Sequence, residues 1–204
     1  MMKAFWDERY SGKDFVYGEN PNEYLKAKLT ELRKGKILLP AEGEGRNAVF
    51  AAKSGWMVSA FDQSTTGKKK AERLAQKNEV AIDYTISDLE DIRYPENSFD
   101  VLALVYAHFH SEKRTAYHQK LSTYLRKGGT LILEAFGKRH MENQKINPNA
   151  GGPRNVAMLY KLEELMSDFE GFEFLEAIET KTELNEGKHY LGEADVVRIF
   201  AIKK

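Results

Sequence analysis

The chain reads as an α/β protein, a Rossmann-like doubly wound sheet that is mostly parallel and finishes in an antiparallel strand pair. Three observations predict it. Short apolar runs alternate with segments of helical composition from residue 22 to residue 169, the alternation that builds parallel sheets. The run Phe99-Asp100-Val101-Leu102-Ala103-Leu104-Val105 is almost wholly apolar, as expected of a strand buried on both faces. Residues 172–184 and 194–203 then follow one another as strand-like stretches with no helix between them, joined by a glycine-bearing connection.

With 204 residues the chain has room for one domain with a substantial core, so 1–204 is taken as a single domain. Lys plus Arg and Asp plus Glu each number 31, and the zero net charge suggests no strongly basic face for nucleic acid. Cysteine is absent, which removes disulfides, thiolate metal sites and thiol catalysis and fits a reducing cytoplasm. Asp7-Glu8-Arg9 interrupts the N-terminus before a signal-peptide core could form. The longest apolar run of note, 101–107, falls far short of the ~20 residues that cross a bilayer. The expectation is a soluble, cytoplasmic protein with neither a membrane nor a nucleic acid as partner.

Taken in order, residues 1–21 scatter Phe5, Trp6, Tyr10, Phe15 and Tyr17 among charges and end at Gly18-Glu19-Asn20-Pro21. The segment is too polar for core and too aromatic for a free tail. It is expected either to lie over an opening or to pack as a helix on the sheet edge. Asn20-Pro21 starts a helix over 22–32 with Tyr24, Leu25, Leu29 and Leu32 on one face and Gly35 as its stop. A first strand at 37–39 is followed by a helix at 46–53, a second strand at 56–61 and a helix at 65–78. That last helix buries Ala71, Leu74 and Ala75 and presents Lys68-Lys69-Lys70 as a solvated face. Strands at 81–86 and 99–105 precede a helix at 111–126, with Tyr117, Leu121, Tyr124 and Leu125 inward and Gly128-Gly129 as its stop. A fifth strand spans 130–136. Residues 138–155 show neither period and read as an active-site loop, and a last helix covers 161–169.

The organising stretch is Ile37-Leu38-Leu39-Pro40-Ala41-Glu42-Gly43-Glu44-Gly45-Arg46-Asn47-Ala48, a strand, a Gly-x-Gly turn and a helix. Its glycines admit backbone dihedrals closed to other residues and leave no side chain between backbone and ligand. The helix that follows turns unpaired N–H groups toward whatever sits above the turn. In such sheets nucleotide-like ligands bind in this crevice. Asp62, seventeen residues past Gly45 at the end of the second strand, has two oxygens suited to a ribose diol. Its other reading is a helix cap, since Gln63-Ser64-Thr65 follows. Another carboxylate, Asp88, stands after the third strand.

These residues resemble the class I S-adenosylmethionine-dependent methyltransferases over essentially the whole chain. Trp6-Asp7-Glu8-Arg9-Tyr10, Tyr17-Gly18-Glu19-Asn20-Pro21, the stretch from Glu42 to Ala48 and Gly151-Gly152-Pro153 are similar to the tellurite-resistance-type and thiopurine-type members. The resemblance implies the seven-stranded methyltransferase fold, with S-adenosyl-L-methionine as cofactor, S-adenosyl-L-homocysteine as product and a small molecule as methyl acceptor. It places Gly43 and Gly45 beneath the methionine part and ribose, with Glu42 or Arg46 nearby. Asp62 would hold the diol with Gln63 beside the adenine. Asp88 would meet the adenine amino group, and Leu89 a ring nitrogen through its backbone N–H. Val105 and Tyr106 would pass the sulfonium and the acceptor, and Trp6, Tyr10 and Tyr17 would belong to a segment folded over the cofactor. Two positions depart from the pattern: Leu39 stands where the family carries an acidic residue, and Ala41 where it carries its first glycine.

Methyl transfer from a sulfonium asks the protein chiefly for orientation and exclusion of water. An anionic acceptor such as a thiolate needs no base. For a hydroxyl or a protonated amine, His108 after the fourth strand is the candidate, its alternative being a packed or capping histidine. His110, His118 and His189 are weaker candidates by position, and Arg9, Arg139 and Arg154 could orient an anion. No metal constellation is recognisable. Gly43-x-Gly45-x-x-Ala48 also satisfies a dinucleotide fingerprint, so an NAD-dependent oxidoreductase is one competing reading; a cofactor-binding module without turnover is the other.

Overall fold

Residues 2–187 and 189–204 are described in the computed structural model; Met1, at the start of the N-terminal segment, and Lys188, in the connection between the last two strands, lie outside the described residues. Seven strands form one sheet: β1 (Lys36–Pro40), β2 (Met57–Asp62), β3 (Asp83–Ile86), β4 (Phe99–Val105), β5 (Leu125–Phe136), β6 (Phe172–Glu186) and β7 (Tyr190–Lys203). Their order is β3-β2-β1-β4-β5-β7-β6, the first five parallel and the last two antiparallel. The order reverses between β1 and β4, where Ile37 faces Val101 and Leu38 faces Leu102. That reversal opens the crevice at the strand tips.

Alternate strand residues feed two cores, because successive side chains of a strand point to opposite faces. Ile37, Leu39, Val58, Ala60, Val101, Ala103 and Ile132 face α2 (Glu23–Thr30) and α3 (Arg46–Lys53). Leu38, Leu102, Leu104, Leu131 and Leu133 face α5 (Ser111–Tyr124) and α7 (Leu162–Asp168). Helix α1 (Met2–Arg9) and helix α4 (Thr65–Lys77) complete the first layer. Asn22 caps α2, its side chain accepting the Leu25 N–H, and Ser64 caps α4 by accepting that of Gly67.

Five expectations need correction. Lys70 is buried rather than solvated: its ammonium donates to Glu44 at 2.7 Å and to the Asp14 carbonyl at 2.6 Å, beneath the N-terminal segment. Residues 138–155 are not all loop, since α6 (His140–Ile146) occupies their first half; two turns of helix are too short to show a period. Gly128-Gly129 does not stop α5, which ends at Tyr124, where Leu125 already pairs with Phe99; Gly128, at φ +71°, bends the strand before the ladder resumes at Thr130. The last two strands run on to Glu186 and back from Tyr190, because their outer halves form an arm beyond the main sheet, where burial no longer imposes an apolar pattern. In α5 the inward residues are Arg114, His118, Leu121 and Tyr124, while Tyr117 is only partly buried.

The Lys70–Glu44 pair has both partners nearly inaccessible, so removing one leaves the other charge uncompensated. Lys70→Ala is expected to lower the unfolding free energy by about 3 kcal/mol in urea titration, and Lys69→Ala, on the exposed face, to change it by under about 0.5 kcal/mol.

Candidate active site

The turn after β1 takes its shape from left-handed residues: Gly43 at φ +60°, Gly45 at +84° and, without a glycine's freedom, Ala41 at +53°. The last costs about 1 kcal/mol in a residue that carries a Cβ. A Cβ on Gly45 would stand 2.4 Å from that of Ala71, so α4 lies directly against the turn. The Gly43 N–H donates to Asp62 Oδ2 at 3.2 Å, and its carbonyl accepts the Tyr84 hydroxyl at 2.6 Å.

Asp62 ends β2 with both oxygens anchored, Oδ1 accepting the Ser64 N–H at 2.8 Å. Burial pushes its carboxyl pKa up, while the N–H groups of Ser64 and Gly43 pull it down. Each oxygen keeps a second lone pair. The cap of α4 is Ser64, not Asp62. Beyond it, Gln63 is half-buried, Ile86 is 42% exposed and Asp88 is exposed, its Oδ1 accepting the N–H groups of Glu90 and Asp91. The Leu89 side chain joins the core, and its carbonyl accepts from the Lys120 ammonium at 2.6 Å. Ala41, at the tip of a central strand, is exposed as well. Along the tips of β3, β2 and β1, Ile86, Asp88 and Ala41 are thus exposed, while Asp62 and Gly43 are buried.

Helix α1 lies on α4 and the turn rather than on the sheet edge. Asp7 accepts the Ser64 hydroxyl at 2.7 Å and the Thr66 N–H at 3.0 Å, and these donors lower its pKa. Trp6 stacks on Tyr10 with 5.5 Å between rings, and Tyr10 is buried against Gly43 and Gly67. Tyr17 continues the aromatic row to Tyr190 on the arm, 4.4 Å away, and Tyr190 stands edge-on to Tyr106 at 4.9 Å. The segment after α6 closes in from the other side, with Gly151 so near Tyr190 that a Cβ would stand 2.2 Å from its ring.

Glu42 and Arg46, on either side of the glycine turn, make their hydrogen bonds within the chain. Glu42 turns back into its own helix, Oε1 accepting the Ala48 N–H at 2.7 Å, and burial raises its pKa to about 7. Arg46 donates to Glu186 at 2.6 Å and to the Asn20 carbonyl at 3.2 Å, fastening the first turn of α3 to the arm. Val105 is half-buried at the tip of β4. Tyr106 follows at φ +51°, stacked on Phe136 at 4.6 Å, its hydroxyl donating to Glu134 at 2.8 Å. Glu134 also accepts from Asn22 and Arg198. This network escaped sequence reasoning, although a charge inside the apolar run 130–136 was the available signal. A cleft of about 350 Å³ opens beside it, lined by Tyr17, Asn22, Glu134, Glu186 and Arg198 among others.

The remaining candidates are dispersed. His118 is buried against Asp168 at 2.8 Å, and His110 and His189 are exposed. Arg139 pairs with Glu179 and Asp195, and Arg154 donates to the Pro148 carbonyl. No group of three or more His, Asp or Glu able to hold a metal occurs among the described residues, and none of their helices is long and apolar enough to cross a membrane.

Residues 38–133, the span that carries the turn and both carboxylates, match the family described as Methyltransferase domain. No curated protein matches the chain in sequence. Solved structures resemble it over its length. A protein studied for the conversion of a disulfide bond into a thioacetal group during echinomycin biosynthesis is 20% identical, with TM-score 0.81 over 100% of this chain and 92% of that one. TehB from Haemophilus influenzae is 16% identical, with TM-score 0.72 over 99% and 67%. Magnesium protoporphyrin IX methyltransferase from Synechocystis PCC 6803, with bound S-adenosylhomocysteine, is 16% identical, with TM-score 0.73 over 100% and 98%. The architecture is the seven-stranded methyltransferase fold. With the matched span it points to S-adenosylmethionine as the cofactor.

His108 has no lone pair to offer an acceptor. Its Nδ1–H donates to the Met158 carbonyl at 2.7 Å, its Nε2 accepts the Phe136 N–H at 3.2 Å, and the ring lies against Phe136 and Tyr160. This is the packed-histidine alternative. Loss of water around the ring lowers its pKa from 6.5 to about 4. A folded-state pKa below the unfolded one means that the ring stabilises the fold fully above the unfolded value and loses that contribution as pH falls toward the folded one. The stability advantage of the wild type over His108→Gln is expected to narrow between about pH 7 and pH 4, by up to about 3 kcal/mol, in parallel urea titrations. An advantage independent of pH would show that the ring is freely solvated.

Proposed function

We propose that the chain is an S-adenosylmethionine-dependent methyltransferase acting on a small-molecule acceptor. Thiols and chalcogen oxyanions are the first acceptors to test, given the resemblance of its motifs to thiopurine-type and tellurite-resistance-type enzymes. The observation that carries the reading is that the methyltransferase-domain match covers the span holding the left-handed Gly43–Gly45 turn, Asp62, whose carboxylate anchors that turn, and the exposed Asp88 after β3. The cofactor, when bound, supplies an electrophilic methyl group on a sulfonium. The chain's own part is placement: Asp62 takes the ribose hydroxyls with its spare lone pairs, Asp88 and the Leu89 N–H take the adenine edge, and Gln63 lies alongside. Trp6, Tyr10 and Tyr17 shut out water, and Val105 with Tyr106 borders the acceptor. Tyr106 serves there as a shaped wall, because its hydroxyl is committed to Glu134 and burial keeps it protonated. An acceptor already nucleophilic suits this arrangement. We place the enzyme in the cytoplasm on the strength of its cysteine-free composition.

Leu39 is the feature that favours a second reading, a binding module without turnover. Calorimetry and a methyl-transfer assay separate the two. S-adenosylhomocysteine is expected to bind at micromolar concentration and NAD not at all; the reverse would make the chain a dinucleotide protein. Transfer to thiol, selenite or amine acceptors distinguishes an enzyme from a module. Asp62→Ala is expected to weaken S-adenosylhomocysteine binding by about 1.5–3 kcal/mol through lost charge-assisted hydrogen bonds, and an unchanged affinity would reduce Asp62 to an anchor for the Gly43 turn.

A further inference from the structure

We infer that Lys120, on the outer face of α5, is a positioning residue for purine selection: it touches no ligand itself and fixes the turn that carries Asp88 and Leu89. This rests on the methyltransferase reading, in which that turn meets the adenine, and adds a residue from another element that the reading does not use. Residues 87–98 join β3 to β4 and take no part in the sheet, so no strand ladder shapes them. A connection of that length keeps one conformation only where other groups tie it down. Its first part is a single turn. The Ile92 N–H donates to the Asp88 carbonyl at 3.1 Å, and Asp88 Oδ1 accepts the N–H groups of Glu90 at 2.9 Å and Asp91 at 3.0 Å. Oδ1 is thereby committed inside the turn, and Oδ2 is the oxygen left to a ligand.

One turn is not stable alone; this one is held from α5. Lys113, Tyr117, Lys120 and Tyr124 follow one another at steps of four, three and four, the spacing that puts side chains on one helix face. All four reach the turn. Lys120 Nζ donates to the Leu89 carbonyl at 2.6 Å and to the Glu90 carbonyl at 3.1 Å, and the Tyr124 hydroxyl donates to the Ile92 carbonyl at 3.1 Å. The Tyr117 hydroxyl donates to Glu90 Oε1 at 2.9 Å, and Lys113 pairs with the same carboxylate. The four contacts are not equivalent. Lys113 and Tyr117 hold only the exposed Glu90 side chain, where an ion pair in water contributes little. Tyr124 holds the far end of the turn. Lys120, half-buried, holds the backbone of Leu89 itself, placing a cation at the carbonyl end of the turn, where its dipole favours one. The Leu89 carbonyl and N–H belong to neighbouring peptide planes, so a bond that fixes the first restricts the direction of the second. Lys203 makes the same kind of bond at the foot of the sheet, donating to the Ser122 and Leu125 carbonyls at 2.7 and 2.6 Å, and so provides a control far from the strand tips.

The test is calorimetry on the full chain with S-adenosylhomocysteine and S-inosylhomocysteine, whose hypoxanthine carries an oxygen where adenine carries its amino group. The wild type is expected to bind the adenine ligand roughly tenfold to a hundredfold more tightly. Lys120→Met should bring that preference below about threefold, chiefly by weakening S-adenosylhomocysteine. Lys120→Arg, which can still donate to two carbonyls, should restore most of it. Lys203→Met removes a matching bond and should lower the urea midpoint with the preference unchanged. A Lys120→Met variant that keeps the wild-type preference, whatever its absolute affinities, overturns the inference, and so does a Lys203→Met variant that loses the preference equally. A wild type that binds both ligands alike overturns it too, since no purine selection is then left for Lys120 to govern. A wild type that binds neither defeats the methyltransferase reading itself, and is told apart by failing before any substitution is made.

Discussion

The turn between β1 and α3 is pinned from every side, and the rest of the site depends on that. Asp62 holds its Gly43 N–H, Tyr84 its Gly43 carbonyl, and α4 presses on it through Ala71 and Gly67. Glu44 carries the restraint outward, since the carboxylate that binds buried Lys70 also accepts the Val16 N–H, while Lys70 reaches the Asp14 carbonyl. One buried ion pair thus ties the glycine turn, the helix behind it and the segment above it together. Such pairs contribute little net stability beside apolar packing of the same volume; their value here is that they leave the turn one conformation.

Much of this was legible in the residues. The alternation of apolar and helical segments located all five parallel strands and helices α2, α3 and α4, because burial on both faces of a parallel sheet leaves an unbroken apolar run. Gly43, Asp62 and Asp88 were singled out by what the chemistry asks at those points: a backbone without a Cβ, and carboxylates at strand tips. Pairings over long sequence separation were not legible. Lys70 lies in a run of three lysines, and nothing local distinguishes it from Lys69; only the return of residues 14–16 over α4 buries it. Glu42 and Arg46 sit beside the glycines and so invite a ligand role, yet their hydrogen bonds go to Ala48 and to Glu186, the latter 140 positions away. His108 stands where a base would be useful, and the two bonds that occupy it come from the backbone of residues 136 and 158, whose approach no local pattern announces.

Fold and chemistry are separate conclusions. Structures 16–20% identical that share the architecture establish the sheet order and the location of the crevice, and leave the reaction to the residues that line it. Here those residues describe a site rich in tyrosine and poor in free bases. Tyr10, Tyr17, Tyr106 and Tyr190 all have hydroxyl pKa values raised by burial, so at neutral pH they act as neutral donors. A wall of neutral donors excludes water without competing for the electrophile, which suits a displacement in which the protein supplies geometry.

The segment over the site is attached in a particular way. Its fastenings are side-chain hydrogen bonds: Asp7 to Ser64 and Thr66, Val16 to Glu44, and the Asp14 carbonyl to Lys70. It joins none of the strands and shares no ladder with them. Each partner lies at least 28 positions further along the chain, so the segment docks only once the sheet and its helices exist. To these polar contacts it adds the packing of Tyr10, Phe15 and Tyr17 against the turn and the core clusters behind it. A change confined to that stretch therefore leaves the register of the seven strands beneath it untouched.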